Sequence, residues 1–388
     1  MKNEKVLIKG VCEKIGSEQS FVKWQTCEDN NVKEKDIELK SHRDAFYFIK
    51  NLIFDEALGY LKNPGDISAI GHRVVHGGKY FKSAQPIDDE VLRDIQELTE
   101  LAPLHNQASL DVIFLCCEFF GRGILQVAVF DTSFYFNMPP KSYMYGIPYK
   151  YYEKYGIRKY GFHGTSHNFV SQECAKMLNR NLQDLKIISC HLGNGCSITA
   201  IDKGKAIDTS MGFTPLDGII MGTRCGSLDS SVVTFIEEKE SLLPKEVNEI
   251  LNRESGLLGI SGISNDDREI IKAIEKGNKR AILAHEMMDY QIIKYIGAYS
   301  AAMNGLDALI FTAGIGENQW VHRETVCENL SFMGIRIDKG VNKEKILGKT
   351  GEISDKESKI RVFVIATNEE LMIARETVKC LRIKEQGE

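Results

Sequence analysis

The stretch KIISCHLGNGCSITAIDKGKAID, residues 186–208, decides the fold class. Residues 186–190 and 197–202 have strand character and are joined by His191-Leu192-Gly193-Asn194-Gly195, after which Lys203-Gly204 turns the chain into a third short strand at 205–208. This predicts a β-meander with a glycine-rich first connection. Downstream, helical periodicity dominates residues 244–305, and its longest run, 279–304, stops at Gly305. An apolar strand at 308–312 follows, then Ala313-Gly314-Ile315-Gly316-Glu317-Asn318 and a helix, a strand at 359–365, and a final helix opened by Thr367-Asn368-Glu369-Glu370. Upstream, strands are predicted at 6–11, 21–26, 67–75 and 124–130, with helices at 42–61, 88–101 and 107–120. Strands and helices alternate in both halves, so the class is α/β, with glycine turns at strand ends where such sheets bind ligands.

A chain of 388 residues is long enough for two domains, each with its own core. With 43% hydrophobic and 27% charged residues and only 8 prolines, its composition is that of a folded globule. The net charge is −5 and the sequence holds no basic block, which argues against nucleic acid as a partner. No apolar run is long enough for a membrane span or a signal-peptide core, so a cytoplasmic protein is expected. The 10 cysteines form no CxxC pair and lie mostly in apolar segments, so reduced, buried thiols are expected. Between residues 134 and 160, eight of the 14 tyrosines and three of the 8 prolines cluster without periodicity, and the domain boundary is placed at the start of that segment.

Several polar clusters flanked by glycine stand at the predicted strand ends. Gly71-His72-Arg73-Val74-Val75-His76-Gly77-Gly78 offers Arg73, whose planar fork suits a carboxylate or phosphate, beside glycines that allow close backbone approach. In Leu101-Ala102-Pro103-Leu104-His105-Asn106, His105 stands between two predicted helices, where capping is an equally good reading. Asp131 ends an apolar strand, where a carboxylate is costly unless paired or functional. Tyr160-Gly161-Phe162-His163-Gly164-Thr165-Ser166-His167 puts His163 before a helix N-terminus suited to an anion. The backbone and amide of His191–Gly195 suit a phosphate, Met221-Gly222-Thr223-Arg224-Cys225-Gly226 adds a second arginine, and Ser264-Asn265-Asp266-Asp267-Arg268 is a turn of the kind that surrounds a nucleoside. No P-loop or complete dinucleotide fingerprint is present. At the C-terminus, Thr367-x-x-Glu370 has capping-box spacing, which leaves Glu369 as the candidate metal ligand.

These residues, in this order, resemble the acetate and butyrate kinase family of the actin, Hsp70 and sugar-kinase superfamily. GHRVVHGG, LAPLHN, VFDTSF, RKYGFHGTSH, HLGNG, DTSMGFTPLDG, MGTRCGS, SGISND, FTAGIGEN and TNEEL together carry the resemblance over nearly the whole chain. It implies two ribonuclease H-like domains with a cleft between them, residues 1–132 completed by 369–388, and residues 133–368. It also implies a homodimer that transfers phosphoryl from ATP to acetate, giving ADP and acetyl phosphate, with Mg²⁺. Asp131, His163, Arg224, Arg73 and His105 would be catalytic, with Arg73, Val75, Leu104, Phe162 and Pro215 around the acyl group. His191, Gly193, Asn194, Gly195, Asp266, Asp267, Arg268, Gly314, Ile315, Gly316 and Asn318 would surround ATP, and Glu369 would hold the metal. Two departures stand out. Roughly 15 to 20 residues of the family pattern, including its opening N-x-G-S-S-S-x-K, have no counterpart here, and Ala366 replaces the usual proline before Thr367. The first keeps open a catalytically impaired nucleotide-binding relative, alongside a propionate or butyrate kinase.

Overall fold

The computed structural model describes residues 4–29, 31–58, 60–121 and 123–387, with the side chains at 103, 104 and 384–387 outside the description. The chain divides into two compact units, Met1–Phe130 with Glu370–Glu388, and Asp131–Glu369.

In the first unit, β1 (Ile8–Glu13), β2 (Phe21–Thr26) and β3 (Lys33–Asp36) form an antiparallel sheet. Helix α1 (His42–Ile53), capped by Ser41, covers it through Val22, Leu39 and Ala45. It ends well before Leu61, where the sequence pattern had predicted its end. Strand β4 (Ala69–Val74) pairs parallel with β6 (Leu125–Phe130), which β5 (Gln85–Pro86) flanks antiparallel. Helix α2 (Asp89–Glu97) begins at Asp88, whose carboxylate accepts from the amides of Glu90 and Val91. Helix α3 (Pro103–Phe120) starts four residues earlier than predicted, because Pro103 occupies the first helical position, where its missing N–H costs nothing.

The second unit contains α4 (Pro140–Tyr143), α5 (Lys150–Tyr155) and α6 (Gly164–Met177), then the meander β7 (Lys186–Leu192), β8 (Cys196–Asp202) and β9 (Lys205–Thr209). Helices α7 (Ser230–Glu240), α8 (Pro244–Glu249), α9 (Gly256–Ser261), α10 (Asp267–Glu275) and α11 (Lys279–Met303) follow. The long α11 ends with Asn304, not glycine, in the left-handed conformation. Strand β10 (Ala308–Thr312) leads into α12 (Ala313–Asn318), α13 (Trp320–Asn329) and α14 (Lys339–Glu344). The segment Ala313–Asn318 is thus a helical turn and not an open loop. Strands β11 (Gly351–Glu352) and β12 (Arg361–Val364) complete a six-stranded sheet of order β11-β12-β10-β7-β8-β9. β10 runs parallel to both β7 and β12, and its five residues are buried.

Helix α15 (Glu369–Gly387) returns the chain to the first unit. A Cβ at Gly71 would lie 2.4 Å from Thr377 Oγ1 and 2.7 Å from Ile373 Cγ2, so this glycine is fixed by the packing of α15 on β4. Because α15 starts at Glu369, Glu370 is its second residue and not the third that a Thr367 capping box requires. The Thr367 hydroxyl instead pairs with Ser166 Oγ at 2.8 Å. Among the described residues, no helix is long and apolar enough to cross a membrane, and all 10 cysteines are free thiols.

Candidate active site

Within the second unit the glycine-flanked clusters converge at the ends of β7 and β10. A Cβ at Gly195 would stand 3.4 Å from both Arg224 Nη1 and His163 Nε2, placing arginine, imidazole and the His191–Gly195 turn against one another. A Cβ at Gly193 would lie 3.7 Å from Ala313 Cβ and 4.0 Å from the Gly314 amide, so the β7–β8 turn faces the start of α12. At Gly222 the added atom would meet Asn194 Oδ1 at 2.3 Å and Asn265 O at 3.0 Å, and Asn265 Nδ2 donates to Asn194 Oδ1 at 3.5 Å. Four segments distant in sequence therefore share a surface of glycine backbone, amide groups and one arginine, a setting suited to polyphosphate.

His163 adopts a left-handed backbone, φ 56°, at the entry to α6. Its ring stacks on His191 with centroids 4.1 Å apart. Its Nδ1 shares a 2.8 Å hydrogen bond with Ser197 Oγ, which also contacts His167 Nε2 at 2.8 Å, while His167 Nδ1 reaches Ser189 Oγ at 2.9 Å. Burial, with the neighbouring His191 adding to it, drives the His167 pKa well below its usual value, so that ring is a neutral relay that orients Ser197 and through it His163. His191 is held by Ser166 Oγ at 2.8 Å. Gly164 is obligatory, since a Cβ there would fall 2.1 Å from Asp131 O, and its amide donates to that same carbonyl at 3.1 Å. Asp131, 1% exposed, is thereby fixed beside the start of α6. Arg224 donates from Nη1 to Pro215 O at 3.1 Å, and its partial burial lowers its pKa. Phe162 is buried and Pro215 half-buried.

The other residues assigned to ATP differ in their surroundings. Asp266 caps α10 and receives the Arg268 guanidinium at 2.6 to 3.1 Å, which holds its carboxylate below the usual range. Asp267 turns inward: it is 4% exposed and its carboxylate lies 3.1 Å from His322 Nε2. Gly316 gives its carbonyl to Arg323, and Asn318 spends its amide within the fold, donating to Gly314 O and accepting from the Leu347 amide, both at 2.8 Å. Gly314 is exposed and Ile315 half-buried. Glu369 is half-buried and Glu370 exposed.

On the first unit, Arg73 is exposed at the end of β4, while His72 and His76 are buried. His72 Nε2 meets Gln126 Oε1 at 2.7 Å, and burial lowers its pKa. Gly78, with φ 55°, is demanded by Leu98, whose Cδ2 would be 2.4 Å from an added Cβ; packing explains that glycine without a ligand. Val75 and His105 are half-buried, and the Leu104 side chain lies outside the described ones.

Three positioning residues were not visible in the sequence. Asn106 clamps the β4 exit, accepting from the His76 amide and donating to its carbonyl, both at 3.0 Å. Glu317 Oε1 accepts from the Ala313 amide at 2.8 Å and the Thr367 amide at 3.1 Å. Arg323, 0% exposed, donates to Gly316 O, Glu317 O, Asn342 O, Asn342 Oδ1 and Lys345 O at 2.7 to 2.9 Å. A fourth group, Asp267, His285, His322 and Asp289, is buried among α10, α11 and α13. There, desolvation opposes charge on His322, but Asp289 and Asp267 override it and raise its pKa to about 10.

The Acetokinase family model matches residues 1–375. The acetate kinase of Halothermothrix orenii is 50% identical over 380 residues, covering 98% of this chain and 94% of its own, and that of Thermotoga maritima is 51% identical over 378 residues, covering 97% and 93%. Among solved structures, Porphyromonas gingivalis acetate kinase superposes with a TM-score of 0.89 at 45% identity, covering 97% of this chain and 94% of its own. A Francisella tularensis propionate kinase gives the same TM-score at 42% identity, covering 97% and 93%. The two units are accordingly α/β domains of the actin, Hsp70 and sugar-kinase type, and the chain belongs to the acetokinase family.

Proposed function

We propose that the chain transfers the γ-phosphoryl group of ATP reversibly to acetate, giving acetyl phosphate and ADP. The observation that carries this reading is the convergence of Arg224, His163 and the Gly193–Gly195 turn on one surface facing α12. An acetate oxygen forms the new O–P bond as the bond from Pγ to the β–γ bridging oxygen breaks, and ADP leaves. Such a loose transition state is stabilised by positioning and charge neutralisation, without a covalent nucleophile. Arg224 neutralises the migrating phosphoryl group, and His163, held by Ser197 and His167, donates to an equatorial oxygen. The amides of Asn194 and Gly195 receive the ATP phosphates, the Gly193 amide closing the turn by donating to Gly195 O at 3.1 Å, and Asp266, Arg268, Gly314 and Ile315 border the nucleoside. From the first unit we assign Arg73 and His105 to the carboxylate and the phosphoryl group, and Val75, with Phe162 and Pro215 of the second, to the acyl methyl.

Mg²⁺ takes oxygen ligands and keeps several waters. Asp131 and Glu369 are carboxylates of that kind and would hold it, whereas the histidine-containing cluster near α10 is the wrong donor set. When bound, the ion neutralises phosphate oxygens. The same reading makes the protein a cytoplasmic homodimer with ATP or ADP and acetate or acetyl phosphate as its small-molecule partners. The propionate kinase at equal TM-score makes propionate the nearest alternative acceptor. Trapping the acyl phosphate with hydroxylamine across acetate, propionate and butyrate tests the assignment. The highest kcat/KM is expected for acetate; a preference for propionate or butyrate, or no hydroxamate with any acid, would overturn it.

A further inference from the structure

We propose that Asp267, His285 and His322 bind a divalent transition cation of the zinc class, with Asp289 orienting the imidazole of His322. These residues come from three helices, Asp267 from the start of α10, His285 and Asp289 from successive turns of α11, and His322 from α13. All four are at least nine-tenths buried. One ligand atom from each of Asp267, His285 and His322 can be chosen so that all three lie within 4.8 Å of one another. Bonds of ~2.0–2.2 Å at tetrahedral angles put ligand atoms ~3.3–3.6 Å apart, so side-chain shifts of about an ångström complete the site.

The hydrogen-bond pattern assigns the faces of the rings. Asp289 Oδ1 holds His322 Nδ1 at 2.5 Å, leaving Nε2 directed at Asp267 Oδ1, 3.1 Å away. Asp289 Oδ2 lies 3.3 Å from His285 Nε2 without forming a hydrogen bond, and the unpartnered His285 Nδ1 is the available ligand atom. A carboxylate behind a ligating histidine is the arrangement that fixes the tautomer of metal-bound imidazoles, and Asp289 takes that place behind His322. His285 Nδ1 and Asp267 Oδ2 are buried without a hydrogen-bond partner. Buried polar atoms rarely stay in that condition. A dication that displaces the proton shared between His322 Nε2 and Asp267 supplies the missing partner and balances two buried carboxylates. Two imidazole nitrogens and one carboxylate select zinc-class ions over Mg²⁺, which prefers all-oxygen ligation. A cavity of about 620 Å³ lined by Ile274, Ile282, His285, Glu286, Asp289 and Tyr290 borders the cluster on the His285 side. The proposal does not depend on the phosphotransfer reading.

The test uses the tag-free full chain, stripped with a chelator and titrated with Zn²⁺ against a chromophoric competitor. One equivalent of Zn²⁺ per chain is expected, with a rise in Tm that Mg²⁺ at the same concentration does not produce. Co²⁺ should give the visible absorption of a nitrogen- and oxygen-ligated ion, without the thiolate charge-transfer band that the cysteines would produce. Asp289→Asn should weaken binding ~10–100-fold through loss of ring orientation. His322→Gln and Asp267→Asn should abolish it. Should either fail to fold, His285→Ala, at the cavity wall, decides the matter by losing the equivalent. Absence of stoichiometric Zn²⁺ in the parent chain, or undiminished binding in His285→Ala, would overturn the proposal.

Discussion

Replacing Arg323 with methionine removes a guanidinium that is 0% exposed and donates to five acceptors on α12, α14 and the turn after it. Methionine fills similar volume but returns no donor. A buried acceptor stripped of its partner costs roughly 1–3 kcal/mol. Counting two or three of the five as lost, with water reaching the others, gives a destabilisation of about 3–6 kcal/mol. For a domain of this size, where 1 kcal/mol shifts Tm by ~2–4 °C, Tm should fall by roughly 6–24 °C. Calorimetry on parent and variant measures it directly. Arg323→Lys should lose nearly as much, since one ammonium cannot span acceptors that the planar fork reaches from two sides. Because the same guanidinium anchors Gly316 and Glu317, KM for ATP should rise in Arg323→Met at temperatures where it is folded. A Tm within 2 °C of the parent, or an Arg323→Lys variant of parental stability, would refute the reasoning.

Arg224→Ala should leave ATP binding largely intact while lowering kcat by ~10²–10³, the cost of losing one preorganised transition-state donor; isothermal titration and initial rates separate the two. Glu369→Ala should raise the Mg²⁺ concentration needed for half-maximal activity at nearly unchanged Tm, whereas Glu370→Ala, exposed at the second residue of α15, should stay within ~0.5 kcal/mol of parental stability, and a metal defect confined to Glu370→Ala would reverse the assignment. Burial pushes the thiols of Cys116, Cys174 and Cys196 up to about 12. Raised values mean less thiolate: at pH 8 the reactive fraction is about one in ten thousand, so iodoacetamide should modify these three only after unfolding, and mapping by mass spectrometry checks it.

The meander β7-β8-β9 was legible because its strands are apolar and its turns carry glycine, signals that lie within a few residues of one another. Strand β3, Lys-Glu-Lys-Asp at 33–36, was not: all four residues are exposed, and only backbone register with Phe21–Trp24 makes them a strand. Pro103 misled because proline stops one helix as readily as it starts another, and the choice depends on Asn106 reaching back 30 residues to His76. The capping box at Thr367 failed for a similar reason, since its hydroxyl has a tertiary partner in Ser166. Asp267 stands between two residues assigned to the nucleoside, yet the helical rotation that exposes Arg268 carries Asp267 inward to His322. Arg323, Glu317 and His322 act through partners many positions away, and no local spacing announces them.

The central claim is that Arg224, His163 and the glycine turns they face conduct phosphoryl transfer between a nucleotide and acetate. Phosphorus NMR of the full chain with Mg²⁺, ADP and acetyl phosphate tests it most directly, because both phosphoryl carriers are resolved in one spectrum. Loss of the acetyl phosphate resonance with matching growth of the ATP γ-signal is expected, with the reverse on adding ATP and acetate, and both slowed ~10²–10³-fold in Arg224→Ala. Release of free phosphate without ATP, or transfer by Arg224→Ala at the parental rate, would contradict it.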